Sequence, residues 1–395
     1  MLNVVVIVVI VVCLGAAGLL MMPRLAGAPL WRASITPLAS IIGSGFLVLG
    51  PALNASYGVL APLVMAGLCA VAYAFGGAIR FNMAHADRQA HSRRLETVSA
   101  WLLAFAYIVS VAYYLNLLGA FSATLVPQGG AYLGKVITTA VYLAIAAIGW
   151  TKGFAALERM EQVSVGIKLS VIAGMLAALM WYFGGLSTEG QLHLAAPQTS
   201  PLHGVMLAFG LLVTVQGFET SRYLGDEYGV GTRIRSMKLA QWISTVIYLL
   251  YITLFCYSFA PQDGPVDETA IIAMMGVVTP VLPALLMVAA LSAQFSAAVA
   301  DTNGSGGLLS ELTKSRLPPR AGYLLLVGFG LMLTWAFSVF EIISYASRAF
   351  ALYYGCQAII AAGQARKNGA GGKALLFAAL GVLGGLVAVF GAAVE

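Results

Sequence analysis

Charge is scarce in this chain. Of its 395 residues only 9% are Asp, Glu, Lys or Arg, while 60% are hydrophobic and the mean hydropathy is +0.90. Soluble domains carry about 25% charged residues, so a water-soluble globular protein is excluded. Alternating ten-residue segments are missing too, which removes a transmembrane β-barrel. Four cysteines (Cys13, Cys69, Cys256 and Cys356) stand singly in apolar stretches without CxxC or metal-ligand spacing. They read as small packing residues, and neither a metal nor a cofactor is expected. There is no HExxH or GxSxG motif, and His85, His91, His193 and His203 lie outside the apolar spans or near their ends. An enzyme is therefore not expected.

What the chain does have is a series of apolar runs of about 20 residues, the length of a membrane-crossing helix. Twelve candidate spans follow: 3–22, 34–53, 57–79, 97–125, 132–150, 162–184, 202–225, 238–260, 279–310, 321–339, 342–364 and 373–393. The expected class is an all-α integral membrane protein of about 12 transmembrane helices in a lipid bilayer. The segments 26–33 and 261–278 read as a short connector and a longer loop.

A net charge of +6 is compatible with a nucleic acid or an anionic lipid partner, but topology explains it better. Arg24, Arg32, Arg80, Arg88, Arg93, Arg94, Lys152, Arg159, Arg222, Arg233, Arg235, Lys238, Lys314, Arg316, Arg320, Arg366, Lys367 and Lys373 all fall in or beside alternate loops. These are 18 of the 21 basic residues. The opposite loops carry Lys135 alone, with the acids Glu189, Asp263, Asp267 and Glu268. The positive-inside rule places the basic loops in the cytoplasm of a plasma membrane, here a bacterial inner membrane, with the N-terminus outside. No nucleic-acid partner is expected. No basic residue precedes the run 3–22 and two follow it, which favours an uncleaved helix over a signal peptide.

With that extra helix set aside, the next ten spans form two groups of five, 33–185 and 201–364, followed by an additional helix at 373–393. Five is odd, so the second group is inverted relative to the first. The opening span of each group is interrupted, by Ile41-Ile42-Gly43-Ser44-Gly45-Phe46 in the first and Thr214-Val215-Gln216-Gly217-Phe218-Glu219 in the second. Two broken helices at matching places in an inverted repeat point to a secondary transporter with its small-molecule site at the bilayer midplane. An ion channel is disfavoured, because no filter-like repeat or charged ring occurs.

Glycines let the backbone unwind at Gly43-Ser44-Gly45. Unwinding inside the membrane frees N–H groups suited to a carboxylate and carbonyls suited to an ammonium or metal cation. An α-amino acid offers both groups on one carbon. The plainer alternative is that the glycines only let helices pack closely. Ile42, Gly43, Ser44 and Gly45, with Val213, Thr214, Gln216 and Gly217, are the expected substrate-binding residues. Thr214 and Gln216 either line the pocket or bond a neighbouring helix. Tyr113 and Tyr114, with Asn116 nearby, either wall the pocket or pack between helices.

Charges within a membrane span are costly and therefore functional suspects. Lys168 lies seven residues into its span, roughly 10 Å deep at about 1.5 Å per residue. Glu219 and Asp301 should share its half of the membrane, and the three form a candidate proton-handling cluster. Snorkelling is the alternative for Lys168. For Asp301 the alternative is a wet position, since Asn303-Gly304-Ser305-Gly306-Gly307 follows it. Glu161 precedes Lys168 by seven residues, as Glu341 precedes Arg348. Inversion puts Arg348 in the outer half as a candidate outer-gate residue, unless the spacing is coincidental.

At these residues the chain resembles the amino acid–polyamine–organocation (APC) superfamily, which has the leucine-transporter fold. Ser40-Ile41-Ile42-Gly43-Ser44-Gly45-Phe46 is similar to that family's broken first helix. Gln216-Gly217-Phe218-Glu219, followed by Asp226-Glu227, is similar to its sixth. Lys152-Gly153 with Ile167-Lys168-Leu169, Leu291-Ser292-Ala293 and Leu317-Pro318-Pro319 extend the likeness over about 33–364. The resemblance implies substrate binding at Gly43, Ser44, Gly45 and around Val213 to Gly217. It also implies that Lys168, with Ser292 or Ser296 nearby, replaces a coupling sodium ion. The implied activity is proton-coupled transport of a small amino acid or related amine; sodium coupling, exchange, another solute or a transport-dead sensor are the alternatives. The chain departs from the family in having Val213 where an aromatic gate is common, and in lacking an acidic residue and Pro-x-x-Gly-Gly stretch between Ala78 and Glu96.

Overall fold

The computed structural model describes residues 2–43, 45–85, 93–151, 155–224, 228–262 and 264–394. Ser44, Lys152-Gly153 and Asp226-Glu227 lie outside the described residues. Among those described, the secondary structure is helical throughout and no strand occurs.

The extra first span is α1 (Leu2–Met21), followed by a single turn, α2 (Pro23–Ala26). The first expected broken span is two helices, α3 (Pro29–Ile41) and α4 (Gly45–Tyr57). Proline at the first helical position suits the start of α3, where its missing N–H leaves no bond unmade. The expected connector 26–33 is therefore mostly helical. Next come α5 (Ala61–Ala84), α6 (Arg93–Ala123), α7 (Ala131–Thr151) and α8 (Ala155–Thr188). The second broken span begins as α9 (Pro201–Gly210) and continues as two 3-10 turns, Leu212–Val215 and Phe218–Tyr223. Then follow α10 (Val230–Ser258), α11 (Ala270–Val278), α12 (Leu282–Leu312), α13 (Pro319–Ala336), α14 (Val339–Lys367) and α15 (Gly371–Phe390). The loop expected at 261–278 thus contains α11, a short apolar helix of nine residues, too short to be counted as a span.

Local chemistry sets the helix ends. The Ser200 hydroxyl accepts from the backbone of His203 at the start of α9. Ser338 and Glu341 form a reciprocal capping box on α14, satisfying two donors that the helix start leaves open. The Glu341 carboxylate, at the rim of the span, is held below the ordinary glutamate range by hydrogen bonds from the backbone and side chain of Ser338.

The architecture is an all-α multi-pass membrane protein with two broken helices at its centre. α10 packs on α3 and α5, α12 on α6 and α8, and α14 on α6 and α15. α1 lies outside this group against α8. Its Val9 carbonyl and Cys13 approach Gly174 so closely that a larger residue would not fit there.

Candidate functional site

In the first break, α3 ends at Ile41, and Ile42 leaves helical geometry with φ −85° and ψ 58°. A helix end leaves carbonyls without intrahelical partners, and two of them are met by side chains from distant spans. The Ala39 carbonyl accepts from Lys168 Nζ at 2.8 Å. The Ile41 carbonyl lies 2.8 Å from the Tyr248 hydroxyl. Gly45 opens α4 under tight constraint: a methyl there would collide with the Tyr113 hydroxyl and reach Thr214 Cγ2 at 2.9 Å. Gly43 has more room, its nearest neighbours to such a methyl being Ser40 O at 3.1 Å and Tyr114 Cε1 at 3.7 Å.

In the second break, one hydroxyl serves two orphaned groups. Ser347 Oγ donates to the Gly210 carbonyl at 2.6 Å and accepts from Val213 N at 2.8 Å. The Thr214 carbonyl lies 2.6 Å from the same Tyr248 hydroxyl that serves Ile41, so a single proton is shared between the two breaks. Gly217 takes φ +110°, a conformation for glycine, and its α-carbon backs onto Ser40 of α3. Glu219 is fully buried just beyond it. One carboxylate oxygen accepts from Gly217 N at 3.0 Å and from the Tyr354 hydroxyl at 2.7 Å. The other has no hydrogen-bond partner among the described residues. Gln216 extends this network, with its oxygen 3.2 Å from the Tyr354 hydroxyl and its nitrogen 3.5 Å from that of Tyr114.

The two breaks therefore touch through Gly217 and Ser40, through Gly45 and Thr214, and through Tyr248. Aromatic rings surround them: Phe46 lies 5.4 Å from Tyr248, Phe218 lies 5.0 Å from Tyr354, and Tyr113 lies 5.0 Å from Tyr114 between ring centroids. A small cavity bounded by Gly43, Phe46, Leu47, Lys168, Ile172 and Ala293 adjoins the first break. Lys168 lines this cavity, while Glu219 sits in the hydrogen-bond network of the second break with Gly217 and Tyr354.

A family model for APC superfamily transporters matches residues 23–391. An uncharacterized protein of Aquifex aeolicus (strain VF5) is 43% identical over 344 residues, covering 84% of this chain and 83% of that one. The chain belongs to the APC superfamily. Among solved structures this APC superfamily transporter is similar to Mhp1, a nucleobase-cation-symport-1 family transporter, in a closed conformation with bromovinylhydantoin bound. The TM-score is 0.58 and the identity 16%, over 85% of this chain and 78% of that one. The inward-facing conformation of Mhp1 gives 0.53 and 17% over 85% and 76%. At these identities the likeness is one of fold.

The three charged residues expected to cluster in this APC superfamily transporter engage different helices. Lys168, on α8, reaches α3, and Glu219 is tied to Tyr354 of α14. Asp301 accepts a short hydrogen bond from Ser110 of α6. Ser164, one turn before Lys168, lies 3.2 Å from the Ser292 carbonyl and 3.4 Å from the Ser296 hydroxyl, which puts both serines on the α8–α12 contact. Arg348 donates to the Ala388 carbonyl in the last turn of α15 at 2.6 Å. Glu341 is occupied by its capping box, and the side chain of Glu161 lies outside the described residues. Asn116 bonds Thr334 at 2.8 Å and so joins α6 to α13.

Sequence reasoning missed Tyr248, Ser347, Tyr354 and Ser40. A hydroxyl in an apolar span needs an acceptor, so the signal existed, but nothing local says which carbonyl will be near. It also missed a polar knot at the basic face. Arg222 donates to Gln357 at 2.6 Å and to Glu96 at 2.9 Å, and Gln357 in turn donates to Ser99 at 2.8 Å and accepts from Asn82 at 2.9 Å. This joins α5, α6 and α14 to the turn Phe218–Tyr223.

Proposed function

We propose that this transporter moves a small amino acid or related amine by alternating access, in symport with protons, with its basic loops in the cytoplasm of a bacterial plasma membrane. The observation that carries the reading is the Lys168 ammonium on the Ala39 carbonyl, at the end of a broken helix. The C-terminal end of a helix is a site for a cation, and a lysine supplies that cation only while protonated. Proton loss would remove the charge and leave the weaker bond of a neutral amine between α8 and α3, and rebinding would restore the full tie. The substrate's carboxylate and ammonium would be read by the amides and carbonyls of Ile42 to Gly45 and Val213 to Gly217. Glu219, with one oxygen unpartnered among the described residues, would face or trade the same proton.

A second reading is favoured by the aromatic walls Phe46, Tyr113, Tyr114 and Phe218. They suit a planar cyclic amide, and Mhp1 is a solved relative in fold with a hydantoin bound. One experiment separates these readings. Purified protein in proteoliposomes is offered labelled amino acids and hydantoins under an inward proton gradient or an inward sodium gradient. The expected result is accumulation of an amino acid with protons alone, lost in Lys168→Ala while equilibrium binding survives. Accumulation with sodium alone would remove the coupling role of Lys168. Hydantoin accumulation would replace the substrate class, and absence of any uptake or binding would point to a sensor.

A further inference from the structure

The chain beyond α15 turns back into the bundle. Ala392 N donates to the Met206 carbonyl of α9 at 2.9 Å. The Gly391 carbonyl accepts from Ser344 Oγ of α14 at 3.1 Å, and Arg348 anchors the preceding turn at Ala388. Gly391 and Val394 are buried. The contact is close enough to dictate residue type: a methyl on Gly210 would collide with the Ala392 carbonyl oxygen and lie 2.8 Å from its carbon. Hydrogen bonds therefore tie Ala392 to α9 and Gly391 and Ala388 to α14.

α9 is a half-helix of ten residues, about 15 Å long, and the break at Gly210 makes it a lever. It packs on α14 and α15 along one flank. The other flank faces an open apolar groove bounded by Val64, Leu68, Ala208, Phe209 and Leu212. Val387 of α15 also borders this groove, which lies between α9 and α5. On the orientation proposed above, α9 is the outer half of its span, next to the second break.

We infer that residues 391–394 are a strap that positions α9 against α14, and that the strap must release α9 before the outer side of the site opens. Arg348 then acts on the outer side by anchoring the strap. The inference rests on alternating access and not on the identity of the solute or coupling ion.

The test is a reversible lock. Met206→Cys and Ala392→Cys are combined, with each single variant as control for the native cysteines. Backbones joined by a hydrogen bond lie at a spacing a disulfide can span. Oxidation should form an intramolecular bridge, slow hydrogen exchange over 201–217 about tenfold, and stop uptake of the labelled mixture. Reduction should restore both. Gly210→Ala should do the opposite, raising exchange in 201–210 and 391–394 together. A pair that fails to bridge, together with parent-level exchange of 201–210 and 391–394 in Gly210→Ala, overturns the placement of the strap. Parent-level exchange and uptake in the bridged protein overturn its release. If no solute is transported under any gradient, the functional reading fails, while the exchange arm still decides the strap.

Discussion

Replacing Gly217 with alanine adds one methyl group where the two broken helices meet. At φ +110° an L-residue sits outside its allowed regions. Holding it there costs about 1–3 kcal/mol. The new carbon would also lie 2.6 Å from Ser40 Cβ and 2.7 Å from the Ser40 carbonyl carbon. Rotation of the serine moves only its hydroxyl, whereas its Cβ and carbonyl carbon are fixed by the backbone of α3, so overpacking adds about 1–3 kcal/mol. The conformation in which the breaks touch should lose about 2–6 kcal/mol. Even the low end is about a thirtyfold shift in an equilibrium. The assay is thermal unfolding in detergent, with hydrogen exchange over 38–46 and 211–219. The variant should melt several degrees lower and exchange faster in both segments. Gly184→Ala is the control, since nothing lies within 4 Å of its added methyl, and helical Gly→Ala is favourable by about 0.5–1 kcal/mol. Parent-like melting and exchange in Gly217→Ala would refute the contact between Gly217 and Ser40 and the positive φ together.

Three further outcomes follow from other contacts. Tyr248→Phe removes the one hydroxyl shared by the Ile41 and Thr214 carbonyls and should cost about 1–3 kcal/mol, read as a lower melting temperature, with unchanged melting counting against the bridge. Arg222→Lys should act like Glu96→Gln on stability and the two should not add, because a single ammonium cannot span Gln357 and Glu96 as the guanidinium does; full additivity would show that the knot carries no coupling. Ser338→Ala should cost about 0.5–2 kcal/mol. The depressed carboxyl of Glu341 contributes stability above its unfolded-state range and loses it as pH falls through the folded one. Glu341→Gln, which removes the titrating carboxyl, should therefore flatten the acid-side loss of stability, whereas Ser338→Ala keeps the backbone N–H bond and should flatten it only in part; an unchanged pH profile in Glu341→Gln would argue against the capping box.

Much of this was legible before any tertiary contact was known, and particular residues show how far. Gly43 and Gly45 marked the first break, and Gly217 the second, because glycine's conformational freedom is a local property. Their relative weight was not legible: Gly45 and Gly217 are pinned by Tyr113, Thr214 and Ser40, while a methyl on Gly43 would meet only the Ser40 carbonyl oxygen closely, at 3.1 Å. Lys168 stood out because a charge in an apolar run is costly wherever it is. Its acceptor, the Ala39 carbonyl, lies 129 residues away in sequence, and no periodicity connects the two. The expected cluster of Lys168, Glu219 and Asp301 rested on depth alone, and depth leaves the angle around each helix free. Depth therefore could not say that Asp301 bonds Ser110 or that Glu219 bonds Tyr354.

By itself, then, the sequence determined membrane class, the approximate spans, the alternation of basic loops and the places where two helices break. Each of these follows from hydrophobicity, charge or backbone freedom summed over a short window of neighbouring residues. The tertiary structure alone decided that Tyr248 joins the breaks, that Ser347 closes the second, that Arg348 anchors the turn after α15, and that residues 391–394 strap α9. Those are meetings between segments far apart along the chain. Within a bilayer every freed backbone group must find a partner inside the protein, and only the packing of all the helices together determines which one is in reach.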